Sequence, residues 1–361
     1  MNKYLILIAF SILSTSAWAQ DTIRTYYDEE ETMLKELFFM VNGKANGEIR
    51  RFDEDGNLVL VGHLKDDQRD GLFVDLNPHS GDTVRIIPFV NNIRSGKSNS
   101  YFPSGELKQT STYVADQIEG EVITYYESGQ IRDKTTFKNN KPEGLSETFY
   151  ESGKQASKVH FLNGKYDGLF EEFAESGQIL VSAMYSDGEL HGKEIQYYED
   201  GQVLSMINFS RGLLDGTYEL NYPDGAPKRR GVYKKGREEG VLISYYQNGE
   251  IREKATFKKG IPTQPTEKYY SSGAIEQKKS FDKQGNPTLE INYFENGQVN
   301  FAVPYLNSKP EGEVRVYREN GSLEEVRRYK GGKLDGKRDF FDEKEKLTST
   351  EIYEMGNKIN K

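Results

Sequence analysis

The sequence predicts an all-β fold: tandem 24-residue β-hairpins forming an elongated, twisted, single-layer antiparallel sheet. Three observations predict it. Glycine recurs every 24 residues, an aromatic ring recurs every 12, and apolar and polar residues alternate between them.

The glycines place the turns. Gly105, Gly129, Gly153, Gly177, Gly201, Gly225, Gly249, Gly273, Gly297 and Gly321 sit in phrases such as YYESG (125–129) and FYESG (149–153). A second series runs through Gly120, Gly144, Gly168, Gly192, Gly216 and Gly240, then Gly312 and Gly336, and only Gln264 and Thr288 interrupt it. Upstream, Gly47, Gly56, Gly71 and Gly81 continue the pattern with one inserted residue. A fixed period of a few tens of residues is the mark of a repeat array. Gly and Asn supply the positive φ that tight hairpins need.

The rings place the strands. In steps of 12 from Tyr101 to Tyr353, 21 of 22 positions are Tyr or Phe, Tyr125, Phe137, Tyr197 and Phe209 among them; only Asn221 breaks the series. One ring per 12 residues is one ring per strand and turn. Rings in register would then meet their counterparts across each strand pair. In GQILVSAMY the residues Ile179, Val181, Ala183 and Tyr185 share one face, with Leu180, Ser182 and Met184 opposite. In GEIREKATF, Ile251, Ala255 and Phe257 oppose Arg252, Lys254 and Thr256. Such alternation describes a half-buried strand. Two strands alone are marginal, so neighbouring hairpins complete each other. About 13 units follow, regular from 101 to 340.

Composition narrows the chemistry. The 361 residues are 35% hydrophobic and 12% aromatic, too polar for one large core yet too rich in rings for a disordered chain. No cysteine is present, which removes disulfides, thiolate metal sites and cysteine nucleophiles. Residues 1–19 read as a signal peptide: Lys3, a short apolar run from Tyr4 to Leu13, then Ala17-Trp18-Ala19 before the cut. That run is too short to span a bilayer, so the mature chain is expected to be periplasmic, extracellular or at the cell surface, with no integral membrane segment. Of 48 Lys and Arg, Lys3 leaves with the leader, and 47 against 57 Asp and Glu gives a mature net charge of −10. That balance argues against nucleic acid as a partner. Residues 20–38 form an N-terminal segment before the repeats, and 39–361 the array.

No catalytic, metal or cofactor constellation is found. His63, His79, His160 and His191 share no ligand spacing and read as surface residues. The acidic run Asp28–Glu31 reads as a solvated charge run near a frayed N-terminus. Two features stand out as possible partner-binding places. One is the basic group Lys228, Arg229, Arg230, Lys234, Lys235 and Arg237, balanced in part by Glu238 and Glu239. The other is the stretch 261–288, where Pro262, Pro265 and Pro287 fit turns or strand ends and the altered turns are expected to change the sheet locally.

The frames YYESGQI, FLNGKYDG, YSDGELHG and YKGGKLDG resemble MORN repeats, and more closely the bacterial MORN-repeat variant seen in YwqK-type antitoxin-like proteins. The resemblance covers nearly the whole mature chain and implies an extended antiparallel sheet serving as a scaffold. The expected function is an exported, non-enzymatic scaffold that binds a protein or polysaccharide partner through its ring-lined sheet. Neutralisation of a partner toxin or effector, or lipid binding at the envelope surface, are the alternatives the resemblance implies.

Overall fold

The computed structural model describes residues 20–359; the signal-peptide reading of 1–19 lies outside them. The described residues form strands and turns with no helix, in an open antiparallel arrangement. Two compact units divide the chain, Met1–Lys154 and Gln155–Lys361. Each is a sheet in which a strand pairs with the strand next in sequence, as with Gly168–Tyr185 and Gly192–Phe209 in the second unit. Among the described residues no large side chain is less than 2% exposed. Within each unit the described strands form a single layer, which explains this.

Two kinds of turn account for the two glycine series. At Tyr126–Gln130 the Gly129 N–H donates to the Tyr126 carbonyl and the Tyr126 N–H to the Gln130 carbonyl, with Gly129 at φ 87°. This is a three-residue loop in which a type I turn ends in a left-handed residue, and glycine is the residue that enters that region freely. At the other strand ends, two-residue loops such as Asp187-Gly188 and Asn139-Asn140 have positive φ at both positions, the type I′ hairpin. The second glycine series does not make these loops. Gly168, Gly192 and Gly216 follow them inside the next strand, at φ 105°, 113° and 123°, where the pairing register slips.

The pairing of rings differs from the expectation. Rings of the series do not face one another; most face glycine, proline or an aliphatic residue, and Phe161 faces Tyr166, which lies outside the series. Tyr185 lies across from Gly168, Phe209 from Gly192, Tyr233 from Gly216 and Phe257 from Gly240. The alternate rings Tyr125, Phe173, Tyr197 and Tyr245 lie across from Ile131, Ile179, Val203 and Ile251. Antiparallel geometry is the cause. Each ring sits at the C-terminal end of its strand, so consecutive rings fall at opposite ends of the sheet. Rings at the same end are two strand spacings apart, about 10 Å, beyond the roughly 4.5–7 Å of ring contact. The ring–ring contacts that do form recruit residues outside the 12-residue series, as in Tyr166–Tyr185 at 5.3 Å and Tyr218–Tyr233 at 5.6 Å.

The first unit holds the one apolar cluster found among the described residues: Ile49, Phe73 and Phe89, with Phe38, Leu60, Leu64 and Ile87 against it. Gly62 is required there, because a Cβ would fall 2.4 Å from the Phe73 ring. The acidic run is not frayed. Asp21–Tyr26 pairs with Leu34–Val41, and the Asp28 carboxylate closes the connection by accepting from the Thr32 and Met33 N–H groups at 3.0 and 2.8 Å. The Thr32 side-chain hydrogen bond leads the contacts that hold the Asp28 carboxyl below its ordinary range.

Candidate functional site

Every one of the 22 positions of the 12-residue series is half-buried; none is fully covered and none fully exposed. In the second unit the face carrying Phe170, Ala183, Tyr185, Tyr218 and Tyr233 is the more covered one, with Ala183 at 2% exposure, while Met184 and Val232 point to the other side and are exposed. Burial pushes the phenols of Tyr185 and Tyr233 up. Tyr269 is pushed up to about 12 by burial and by its hydrogen bond to Glu267 at 2.6 Å. These hydroxyls stay neutral at physiological pH and present an apolar ring with a polar tip.

At the three-residue turns, a second tyrosine joins successive hairpins. The hydroxyls of Tyr198, Tyr222, Tyr246 and Tyr270 donate to the carbonyls of Asn221, Tyr245, Tyr269 and Tyr293 at 2.7–2.9 Å, each 23 residues on. Tyr126 does the same to Phe149 in the first unit. Arg318 stands in this place later in the array and reaches the Phe341 carbonyl at 2.5 Å through Nη2. Acidic residues crowd these turns, among them Glu127, Glu151, Glu199, Asp200, Asp224, Glu295 and Glu319.

At the type I′ turns the backbone does the joining. The N–H groups of Gly188, Gly212, Gly236 and Gly260 donate to the carbonyls of Tyr166, Leu190, Leu214 and Glu238, each 22 residues back, at 2.8–2.9 Å. Carboxylates reinforce this bond: Glu239 accepts from the Lys259 N–H at 2.8 Å and Glu311 from the Gly331 N–H at 2.6 Å. Grooves open between successive turns. One of about 450 Å³ is lined by Lys234, Lys235, Arg237, Glu239 and Lys259, and one of about 540 Å³ at the equivalent place in the first unit by Val41, Asn42, Lys44, Asn46 and Asp66.

The structure therefore divides the basic group read from the sequence. Lys234, Lys235 and Arg237 share the groove, joined by Lys259, which sequence reasoning missed because it lies one repeat further on. Lys228 and Arg230 sit on the exposed side of their strand, Lys228 5.5 Å from the Tyr222 ring centroid, and Arg229 is half-buried on the opposite side. In the proline stretch, Pro262 pairs with Phe257 and Pro287 with Phe281, both at strand ends, and Pro265 falls between two strand segments. The break at Thr288 has a specific cause. The loop Asp282–Asn286 is a three-residue turn where the period calls for a type I′ one, and Gly285 at φ 88° takes the left-handed position three residues earlier. The missing ring has one too: Asn221 lies across from Pro227, and its Nδ2 donates to the Val203 carbonyl at 3.0 Å.

A polar cluster that the sequence did not announce occupies the end of the second unit. The Glu325 side chain, 6% exposed, pairs with Arg327 at 2.8 Å and with Arg338. Burial raises its carboxyl, and the two guanidinium hydrogen bonds outweigh that to leave it below the ordinary range. Arg338 also approaches Glu351, which pairs with Lys358 at 2.5 Å. The four histidines are exposed, and among the described residues no group of three or more acidic or histidine side chains is placed to hold a metal ion. No helix of the described residues is long and apolar enough to cross a membrane.

The fold and these turns define an all-β repeat scaffold. Six segments, residues 94–115, 118–139, 142–163, 190–210, 238–259 and 310–330, match the family described as MORN repeat variant, and the chain carries tandem repeats of that family. No curated protein matches it. Among solved structures it is similar to TcdB2–TccC3 at 11% identity, over 90% of this chain and 21% of that one, with a TM-score of 0.16. It is similar also to the Photorhabdus luminescens Tc holotoxin pore at 10% identity, over 92% and 20%, again with a TM-score of 0.16. The chain spans about a fifth of the length of those chains.

Proposed function

We propose that the chain is an exported, non-enzymatic scaffold that binds a protein or glycan partner on the face of its ring-lined sheet that carries Tyr185, Phe209 and Tyr233. The observation that carries this reading is the half-burial of the rings this face presents every 24 residues, Tyr185, Phe209 and Tyr233 among them. In a domain with a second layer those rings would be covered. Here each keeps part of its surface available at a fixed spacing, and flat aromatic surface with a polar tip suits both protein contacts and sugar rings. Export rests on the leader-like residues 1–19.

Site-specific photo-cross-linking tests it. A benzophenone side chain at Tyr233 should capture a partner from the exporting cell in a saturable way, and the same group at Val232 on the opposite side should not. Equal capture at both positions, or none at either, would refute the reading.

A further inference from the structure

The type I′ turns assign a second surface, apart from the ring face. Type I′ loops need left-handed backbone at both positions, which favours Asn, Asp or Gly at the first. Asn139, Asn163, Asp187, Asn307 and Gly331 obey that preference. Ala115 at φ 48° and Met355 at φ 50° depart from it without a charge, but three consecutive hairpins depart with one: Arg211 at φ 51°, Lys235 at φ 51° and Lys259 at φ 54° put long cationic side chains into this region. Left-handed backbone is costly for such residues, and where it persists it points to a role for the side chain.

The groove supplies the rest. Lys234 lies directly across from Arg237, a like-charge pair that weakens a hairpin. Lys138 with Lys141 and Lys330 with Lys333 do the same, but their turns are Asn139-Asn140 and Gly331-Gly332, without added charge. Three hairpins before the groove, Lys165 and Asp187 hold the places of Arg237 and Lys259 and form an ion pair at 2.6 Å; in the groove both places are cationic. Glu239 is its one acidic lining residue, and that carboxylate is engaged by the Lys259 N–H. Four cations thus line about 450 Å³ in a chain whose net charge is −9.

We propose that this groove, with Arg211 extending it, binds a segment of a linear acidic polysaccharide. The cations at the turn tips recur about every 10 Å, two strand spacings, which fits charges repeated along a chain rather than a single ion. No aromatic residue lines the groove to stack a nucleobase, as single-stranded nucleic acid binding requires. Asp187 and Glu189 occupy the neighbouring turn, so the cationic row is bounded as a chain-binding segment is, whereas an anionic membrane would also meet those carboxylates. The surface is independent of the ring face, and the cross-linking at Tyr233 tests the two separately.

The test is titration calorimetry of the mature chain with polygalacturonate oligomers, beside neutral dextran, phosphatidylserine vesicles and an oligothymidylate. The native protein should bind polygalacturonate with an affinity that falls as salt rises. Replacing both turn lysines, Lys235→Asn and Lys259→Asn, restores the residue the backbone prefers. This pair should raise Tm while weakening binding roughly fivefold for each ammonium removed. Arg237→Gln, which leaves both turns unchanged, should weaken it by a similar factor. Absence of binding, unchanged affinity in these variants, a fall in Tm alongside the loss, or preference for dextran, vesicles or oligothymidylate would overturn the proposal.

Discussion

The two rows of turns do the same job with different chemistry. At the three-residue turns, successive hairpins are joined by side chains: Tyr222, Tyr246 and Tyr270 each reach a carbonyl 23 residues on. At the type I′ turns they are joined by backbone, through bonds such as Gly236 N–H to Leu214 and Gly260 N–H to Glu238. Tyrosine is the usual donor in the first row and Arg318 takes its place once, while Phe102, Ala174 and Phe294 hold the same position with no side-chain donor. The second holds whatever side chain occupies the turn. That freedom is where charge can accumulate, and Arg211, Lys235 and Lys259 use it.

The largest effects should be shared by both rows. Tyr197→Ala at a three-residue turn and Phe209→Ala at a type I′ end should each cost about 1.5–3 kcal/mol, less than a core ring because half of each ring stays wet. Chemical denaturation measures both, and a cost confined to one end would mean only one row of rings supports the sheet.

The turn residues should separate the rows next. Gly177 has open space around it but φ 91°, so Gly177→Ala should cost about 1–2 kcal/mol through backbone strain alone. Lys235→Asn should instead stabilise by about 0.5–1 kcal/mol, since it relieves strain of the same kind. Thermal melts of the two variants should move in opposite directions.

Smaller still is the difference between the two joining devices. Tyr246→Phe deletes a side-chain bond that nothing replaces and should cost about 0.5–1.5 kcal/mol. Glu239→Gln keeps the Gly260 N–H bond and an acceptor for Lys259, so under about 0.5 kcal/mol is expected. Comparable costs would erase the distinction between the rows.

Titration adds two readings outside the turns. The Tyr269 phenol, raised from its ordinary value of 10 to about 12, favours the folded state while neutral. Its contribution is complete below pH 10 and lost as pH rises through about 12, so ultraviolet titration should show Tyr269 among the late tyrosines, and Glu267→Gln should bring it part of the way down because burial remains. Glu325 has the opposite sign. Its carboxyl lies below the ordinary value in the fold, so its contribution is present above about pH 4.3 and lost as pH falls through the lowered value. The stability gap between native protein and Glu325→Gln should therefore close in acid.

Much of this architecture was legible because glycine and rings are forced by backbone and spacing. Gly105, Gly129, Gly153, Gly201 and Gly249 mark left-handed turn positions that no local alternative satisfies so easily. Less legible were consequences of pairing. A 12-residue period does not say that antiparallel strands send Phe209 and Tyr197 to opposite ends, nor that Gly192 lies across from Phe209. The second tyrosine of each YY pair was a 24-residue signal in plain view, but its role depends on a carbonyl that only the stacked hairpins bring near. Thr288 read as a lost glycine, when the turn had moved its left-handed residue to Gly285. Lys259 escaped the basic group because the groove joins residues of neighbouring repeats.

Amide hydrogen exchange at Gly212, Gly236 and Gly260 tests the central claim most directly. In an isolated type I′ hairpin the second turn amide faces water; here each donates to the preceding hairpin. The account predicts that all three exchange as slowly as strand amides, and remain slow when Lys235 and Lys259 are replaced by Asn. Exchange at the rate of an unstructured peptide in the native chain, or loss of protection in that variant, would contradict it.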